Sequence, residues 1–528
     1  MAHPEVKLAL AFVMAIVLSV FGAWWLAYRY RAAMRRLMSA PLADAAPVVQ
    51  ALAVELAPPM AAHPITAAGN RRAAWRLTWL LCALSLAMSV SVAALQHTIL
   101  FGSSGYSSKR VAVLVLVQMW PVVPVLGLVW RWSRRRVAAV LALWFAVSFL
   151  VLLWRSYTPE PGALLVFLAI EIGPPMVLIA ALFLSHVTRA IAPWLLPLTF
   201  GFAFASIAGT ELLVFLAGRN SPWLKALLGE LGAHAVMALA VVLPWFLAWW
   251  PLRRLGRALG RAYARKQVSE LGMLLTAVWG ISLLYQWLGM VPEGAASAWL
   301  LLPMAWIALA LYAGWRLTRQ ASRAPTLLVL RVFQHDAQVQ ELFDMVIERW
   351  RLSGNTMLIA GTDLIDRTLG ADEVFAFLDG RLAARFVRVP QDVAARVAAF
   401  DLQRDHDGRY RVNECYCHDT TWQAALAALV RSSDVVLMDL RGFQARNAGC
   451  SHELGVLARA PRIARVVVLV DAGTDRAAAD AAVAGAPAGR FVWLDTPRID
   501  RRHARSVLEQ LFVATPAEAG PSGCRVSE

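Results

Sequence analysis

The stretch Ser433–Asp471, SDVVLMDLRGFQARNAGCSHELGVLARAPRIARVVVLVD, decides the fold of the carboxyl-terminal part of the chain. Residues 434–440 form an apolar run rich in Val and Leu without strict alternation, which is typical of a strand buried on both faces of a parallel sheet. A loop and a helix that carries Glu453 follow, and residues 465–471 form a second buried strand. The pattern therefore predicts strand, loop, helix, strand.

The residues around this stretch continue the alternation of strands and helices. Five strands are predicted in the order of the chain, at 327–333, 356–360, 434–440, 465–471 and 490–495. This alternation predicts an α/β domain over 325–516 with a doubly wound parallel sheet of flavodoxin-like order 2-1-3-4-5. The insertion at 372–418, with a hairpin at 402–416, is expected to pack over one edge of the sheet or to form a lid, and residues 517–528 to form a disordered tail.

Ligands of open α/β sheets bind outside the carboxyl ends of the strands. Side chains expected to gather there come mostly from the loop and helix that follow residue 440. The candidate catalytic residue is Glu453. The candidate nucleotide-binding residues are Asp439, Arg441, Asn447 and Gly449, joined by His335 and Asp363 after the first two strands.

Residues 1–324 are dominated by long apolar segments, and the whole chain of 528 residues is 59% hydrophobic. A helix needs about 20 mostly apolar residues to cross the hydrocarbon of a bilayer. Nine spans are predicted, at 8–28, 77–100, 111–130, 137–154, 163–185, 194–217, 231–250, 270–291 and 298–315. The sequence therefore predicts a polytopic α-helical membrane domain, with the lipid bilayer as its partner.

The net charge of +16 arises largely from Arg and Lys residues that flank these apolar segments. The charge is thus explained by membrane topology, and no nucleic-acid partner is expected. Most of these residues fall on one set of alternate loops, and the positive-inside rule places that set in the cytosol. We therefore expect a multi-pass protein of the cell inner membrane, with the amino terminus outside and the α/β domain in the cytoplasm.

Two carboxylates fall inside predicted spans, Glu171 before Gly173-Pro174-Pro175 and Glu211 after Gly209-Thr210. An ionisable group at this depth is a hypothesis for a functional site, in sensing or transport. The alternative is a protonated carboxyl group hydrogen-bonded inside the bundle. Both interpretations stay open on the sequence alone.

The five cysteines are too few and too scattered for a disulfide framework. Cys415, Cys417 and His418 form one cluster in the sequence, and Cys450 and His452 form another. The Cys-x2-Cys spacing usual for zinc is missing, so cytosolic thiols filling the core are favoured and no metal is predicted. No nucleophile elbow supports a Ser-His-Asp triad.

The residues at the start of the predicted helix that carries Glu453 resemble two families. Cys450–Leu454, CSHEL, is similar to the Cys-x-x-Glu-Leu-like motif of TIR (Toll/interleukin-receptor) domains, and Gly449–Gly455 is similar to the Gly-Thr-x-x-Glu-Leu-Gly motif of nucleoside 2-deoxyribosyltransferases, with Cys450 in place of Thr. Both resemblances imply that Glu453 acts on an N-glycosidic bond. The TIR resemblance implies NAD as the substrate, without a cofactor, and a homo-oligomer. The chain departs from the usual TIR pattern after the first strand, where Gln334-His335-Asp336 replaces a Ser.

Cleavage of an N-glycosidic bond passes through an oxocarbenium-like transition state, which a carboxylate stabilises or attacks. Glu453 would do this, Asp439 would contact ribose hydroxyls, Arg441 would hold a phosphate, and N–H groups near Gly449 would bind anions. This hypothesis needs the side chain of Glu453 uncovered at the mouth of a cleft.

The alternatives give these residues structural roles. The helix dipole favours a Glu in a first turn, and an Asp after a strand often caps the loop. The whole protein would then be a non-enzymatic membrane signalling or scaffold protein, or a transporter regulated by its cytosolic domain.

Overall fold

The computed structural model describes most of the chain. The described residues are 4–39, 65–102, 105, 107–155, 160–183, 186–219, 221–318, 323–332, 340–360, 371–418, 420–463 and 465–513. The chain divides into two compact units. The helical unit comprises 1–30, 78–313 and 369–379, and the sheet unit comprises 31–77, 314–368 and 380–528. The predicted boundary near 324 is a single cut, whereas these units interleave along the chain.

The first part of the chain is almost entirely helical. Its α-helices are α1 (Pro4–Ser39), α2 (Ala67–Phe101), α3 (Ser108–Gln118), α4 (Val122–Val129), α5 (Arg134–Arg155), α6 (Pro161–Phe183), α7 (His186–Gly218), α8 (Pro222–Ala264), α9 (Glu270–Met290) and α10 (Ala305–Thr318). Two 3-10 segments, Val291–Glu293 and Ala295–Met304, connect α9 to α10.

Six of the described helices are long and apolar enough to cross a membrane, or seven if the bent helices α3 and α4 form one span. Large apolar side chains lie on their outer surfaces, with Trp154, Phe246 and Leu247 exposed by 79%, 74% and 80%. Such exposure is costly in water and favourable in lipid, so the helices fit a membrane.

The count of nine spans is not reproduced in the described part of the chain. The predicted span 111–130 is a pair of helices bent by 43°, and the predicted span 163–185 contains only a shorter apolar helix, Pro161–Val177. The predicted span 8–28 lies within α1 but is not among the six candidates. The break between α3 and α4 lies at Pro121, which cannot donate a backbone hydrogen bond, and α6 contains Pro174 and Pro175.

Helix α12 (Ala371–Leu378) belongs to the helical unit, although the sequence predicts that 372–418 covers the sheet. Phe375 packs against Tyr263 and Met273. Val374 is buried in a separate apolar cluster that includes residues of α1 and α7. The helix has one strongly apolar face, and the local pattern does not specify the surface on which that face is buried.

The described part of the sheet unit contains one sheet of seven strands, all of them parallel. They are β1 (Thr326–Arg331), β2 (Asn355–Ala360), β3 (Phe386–Val387), β4 (Val412–Cys417), β5 (Val435–Asp439), β6 (Val466–Val470) and β7 (Phe491–Asp495), in the order β3-β4-β2-β1-β5-β6-β7. Leu328, Val436 and Val468 are fully buried in its core, as expected for a sheet covered on both faces.

The strand order differs from the predicted 2-1-3-4-5. Two strands, β3 and β4, extend the sheet beyond β2, and both come from the segment predicted to lie outside it. The predicted hairpin at 402–416 is also wrong. Its second half is β4, which pairs parallel with β2, and only an isolated antiparallel bridge joins Arg404 to Tyr410.

Helices of the sheet unit connect these strands. They are a π-helical turn (Phe343–Ile347) continued by α11 (Glu348–Trp350), then α13 (Asp392–Ala398), α14 (Trp422–Ser432), α15 (Ala448–Arg459), α16 (Arg476–Ala482) and α17 (Arg501–Val513). The amino-terminal edge of the sheet is fixed by Asp434. Its Oδ2 accepts hydrogen bonds from Arg323 Nη2 at 2.8 Å and from the backbone N–H of Thr326 at 2.9 Å.

We expect Asp434→Asn to lower the free energy of unfolding by about 2 kcal/mol, because the buried carboxylate joins the starts of β1 and β5. Asp480→Asn is the control, since Asp480 is paired with Arg476 at the surface and should cost at most about 0.5 kcal/mol. Thermal unfolding of the detergent-solubilised chain measures both. Equal losses in the two variants would contradict this role of Asp434.

Candidate functional site

The winding of the sheet reverses between β1 and β5. From β1 the chain continues to β2 on one side, whereas β5, β6 and β7 follow on the other side. Such a switch point is where open α/β sheets bind ligands, outside the carboxyl ends of the strands. Arg331 and Asp439, the last residues of β1 and β5, lie opposite each other in the parallel register. The candidate site is therefore built around these two residues.

Glu453 lies beside Arg331 at this edge. Its side chain is buried, with 2% exposed, and its Oε2 atom has no hydrogen-bond partner among the described residues. Burial raises the pKa of the carboxyl group to about 8, although the positive charge of Arg331 acts in the opposite direction. At neutral pH the group is therefore mostly protonated and uncharged.

The burial of Glu453 corrects the expectation of an uncovered carboxylate at the mouth of a cleft. Helix α15 begins at Ala448, so Glu453 lies in its second turn, and the first turn holds no acidic residue. The stabilisation of acidic side chains by the helix dipole falls off beyond the first turn. The dipole is thus a poor explanation of why a Glu occupies this buried position.

Cys450 belongs to the same cluster, at the start of α15. Its thiol is buried, and its Sγ lies 3.9 Å from the carbonyl oxygen of Arg331. Burial, together with the charge of Glu453, raises the pKa of this thiol to about 12. Cys450 therefore stays protonated at neutral pH and fills space between β1 and α15, rather than acting as a nucleophile.

Asp439 and Arg441 form a buried ion pair with each other. The carboxylate of Asp439 accepts hydrogen bonds from Arg441 Nε at 2.8 Å, from Arg441 Nη2 at 2.6 Å and from the backbone N–H of Arg441 at 3.2 Å. Arg441 is 1% exposed. This geometry fits the interpretation in which Asp439 caps the loop. The predicted contacts to ribose and phosphate would require this ion pair to open, and they stay predictions.

The loop after β5 is held by Asp471, which follows β6. Asp471 Oδ1 accepts hydrogen bonds from the backbone N–H of Gly442 at 2.9 Å and of Gly473 at 3.0 Å, and from Thr474 Oγ1 at 3.0 Å. The loops after β5 and β6 are therefore joined at the edge where a ligand would bind. Loops held in this way would lower the entropic cost of binding a ligand at this edge.

Asn447 and Gly449 mark the start of α15. Asn447 Oδ1 accepts a hydrogen bond from the backbone N–H of Gln444 at 2.8 Å, so the side chain shapes the loop. A Cβ atom added to Gly449 would meet no atom within 4 Å, which shows open space beside the helix start. Gly449 is thus the predicted binding residue that a ligand could approach most directly.

Two predicted binding residues, His335 and Asp363, lie outside the described residues. Arg331 is the member of the cluster that the sequence did not single out. The available signal was an arginine at the end of an otherwise apolar strand, where a charged side chain is rarely buried without a partner or a function.

Among the described residues, no group of three or more His, Cys, Asp and Glu side chains is arranged to hold a metal ion. The thiols of Cys415 and Cys417 lie 3.6 Å apart on β4. Cys450 instead contacts β1, and His452 is exposed with its ring packed edge-on against Trp422. The two predicted clusters of cysteine and histidine therefore contact different elements.

The two predicted intramembrane carboxylates have different surroundings. Glu171 is half-buried and accepts hydrogen bonds from the side-chain amides of Gln96 and Gln118, at 3.2 and 2.8 Å. Glu211 is exposed on α7. Glu171 is thus part of a polar cluster inside the helical unit.

Comparison with known proteins finds no matching family model, no matching characterised protein and no matching solved structure. The resemblance of residues 449–455 to TIR domains and nucleoside deoxyribosyltransferases stays a prediction. The candidate site is therefore defined by the geometry at the ends of β1 and β5.

The raised pKa of Glu453 predicts a specific dependence of stability on pH. The folded chain binds this proton more tightly than the unfolded chain, so wild-type stability falls as pH rises from about 4.5 toward about 8. Glu453→Gln cannot titrate, and its stability relative to wild type should increase by about 2–3 kcal/mol between pH 5 and pH 7.

Thermal unfolding of the detergent-solubilised full chain at several pH values measures this difference. Glu509→Gln is the control, because Glu509 is exposed on α17 and has no comparable burial. A constant stability difference between Glu453→Gln and wild type across this pH range would disprove the raised pKa.

Proposed function

We propose that the sheet unit binds a nucleotide-like small molecule at the carboxyl edge between β1 and β5, with NAD as the leading candidate. The observation that supports this proposal best is Glu453 Oε2, which is buried next to Arg331 without a hydrogen-bond partner in the described part of the chain. A buried polar atom left in this way costs about 1–3 kcal/mol. Residues that lower stability and have a strongly shifted pKa are concentrated at functional sites.

The charges of the cluster suit such a ligand. A cationic nicotinamide ring near Glu453 would favour the ionised carboxylate, because an opposite charge lowers the pKa of an acid. In cleavage, the bond between the ribose anomeric carbon and the ring nitrogen breaks and the nitrogen takes the bonding electrons. The oxygen of a water molecule then bonds to the anomeric carbon, which gives the hydroxyl group of the ribose product and releases one proton to solvent. The carboxylate form of Glu453 would stabilise the positive charge that develops on the sugar.

Binding without hydrolysis is the second candidate, and it is favoured by the burial of Glu453 and by the closed Asp439–Arg441 ion pair. The sheet unit would then act as a nucleotide-sensing or self-associating domain of a membrane signalling protein or scaffold. Self-association to a homo-oligomer would accompany either activity. The polar cluster around Glu171 favours transport regulated by the sheet unit as a further alternative.

We further propose that the chain is a multi-pass protein of the cell inner membrane, with the amino terminus outside and the sheet unit in the cytoplasm. The proposal is supported by the long apolar helices and by the positions of Arg and Lys at their ends. Clusters such as Arg134–Arg136 and Arg253–Arg257 would lie on the cytoplasmic side. Lys109, Arg110 and Arg155 would lie on the opposite side.

Incubation of the full chain in lipid nanodiscs with NAD tests the activity, with release of nicotinamide as the readout. We expect the rate to rise with pH up to about 8 as Glu453 ionises. Glu453→Gln should reduce the rate by about 100-fold or more, because it removes the charge that stabilises the transition state. Glu509→Gln should leave the rate unchanged.

NAD binding without nicotinamide release would support the sensing role. The nucleotide proposal fails if NAD neither binds nor is cleaved, or if Glu453→Gln binds and cleaves as wild type does.

Fusion of a fluorescent reporter that folds only in the cytoplasm tests the orientation. A reporter after Glu528 should fluoresce, and a reporter before Met1 should stay dark. The opposite pattern would contradict the proposed topology.

A further inference from the structure

A cluster of uncharged and acidic side chains lies inside the helical unit. Gln96 on α2, Gln118 on α3, Glu171 on α6 and Gln286 on α9 are joined by hydrogen bonds. Gln118 is central, because its Nε2 donates to Glu171 Oε1 at 2.8 Å and to Gln96 Oε1 at 3.4 Å, and its Oε1 accepts from Gln286 Nε2. The three glutamines are buried, so four helices place polar atoms in one otherwise apolar region.

The cluster coincides with two irregularities of the helices. Gln118 is the last residue of α3, immediately before the 43° bend to α4. On α6, Pro174 and Pro175 cannot donate the backbone hydrogen bonds that the carbonyl groups of Ile170 and Glu171 would normally accept. The carbonyl of Ile170 accepts from the hydroxyl of Tyr285 instead. Broken helices of this kind form ion and substrate sites in membrane proteins.

The cluster has more acceptors than donors. Gln286 Oε1 is buried and has no hydrogen-bond partner among the described residues. The backbone carbonyl of Glu171 has lost its helical donor to Pro175, and the side chain of Glu171 would bring a negative charge when a cation compensates it. Oxygen atoms in excess, with one negative charge in apolar surroundings, favour a bound cation.

We propose that Glu171, Gln96, Gln118 and Gln286 bind one monovalent cation, Na⁺ or K⁺. One carboxylate neutralises one positive charge, whereas a divalent ion would leave a net charge inside the helical unit. Alkali cations take carboxylate and carbonyl oxygens as ligands, and the glutamine carboxamides can rotate to present their oxygens. This proposal is independent of the nucleotide site.

Thermal unfolding of the detergent-solubilised full chain in NaCl, KCl and choline chloride, at constant ionic strength and pH, tests the proposal. We expect Na⁺ or K⁺ to raise the apparent Tm by about 3–6 °C over choline, with a saturable dependence on concentration, and the better of the two identifies the ion. Glu171→Gln should abolish the rise, because it removes the charge while keeping the shape of the side chain.

Gln286→Leu should weaken the apparent ion affinity by about 10-fold or more, since it removes an oxygen ligand. Glu230→Gln is the control for loss of one negative charge, because Glu230 is exposed on α8, and it should respond as wild type. Equal Tm values in all three salts would overturn the proposal. If the Tm then depends on pH but not on the salt, the cluster binds only a proton. A full ion response in Glu171→Gln would also overturn it.

Discussion

The parallel pairing of β1 with β5 is the constraint on which the sheet unit depends. It reverses the winding of the sheet and sets Arg331 opposite Asp439 at the carboxyl edge. Helix α15 packs against this edge and buries Cys450 and Glu453 beside Arg331. Four ionisable or charged side chains are thus removed from water at one place. Arg331 is distant in the sequence from the other three residues, and the pairing of β1 with β5 brings it next to them.

The buried charged groups differ in whether hydrogen bonds and opposite charges offset the loss of water. Asp439 and Arg441 neutralise each other through a bidentate ion pair, and Asp471 fixes the neighbouring loops through three hydrogen bonds. Glu453 receives no such compensation and becomes protonated instead. The helical unit shows a similar imbalance around Gln286, where an amide oxygen lacks a donor among the described residues. In each unit, one of the buried polar atoms without a hydrogen-bond partner among the described residues therefore lies at a proposed ligand site.

The sequence predicts the buried strands well, because the apolar runs at 434–440 and 465–471 are long and bounded by turn residues. It misses β3, which has only two residues, and β4, whose sequence VNECYC lacks the apolar signature. The motif Cys450–Leu454 indicates Glu453 as a candidate. The burial of Glu453 and the effect of the Arg331 charge on its pKa depend on packing between elements that are distant in the sequence. The packing of α12 is equally hard to predict. An apolar face shows that a helix is buried on one side, but it does not identify the element that covers this side.

We propose that the buried, protonated carboxyl group of Glu453, beside the ends of β1 and β5, is part of a ligand-binding site. Infrared difference spectroscopy of the full chain tests this claim directly, with Glu453→Gln used to assign the carbonyl stretch of protonated Glu453. The account predicts that this band is present at pH 7, declines toward a midpoint near pH 8, and is lost when NAD binds. A Glu453 already ionised at pH 7, or a band that NAD at saturating concentration leaves unchanged, would contradict the account.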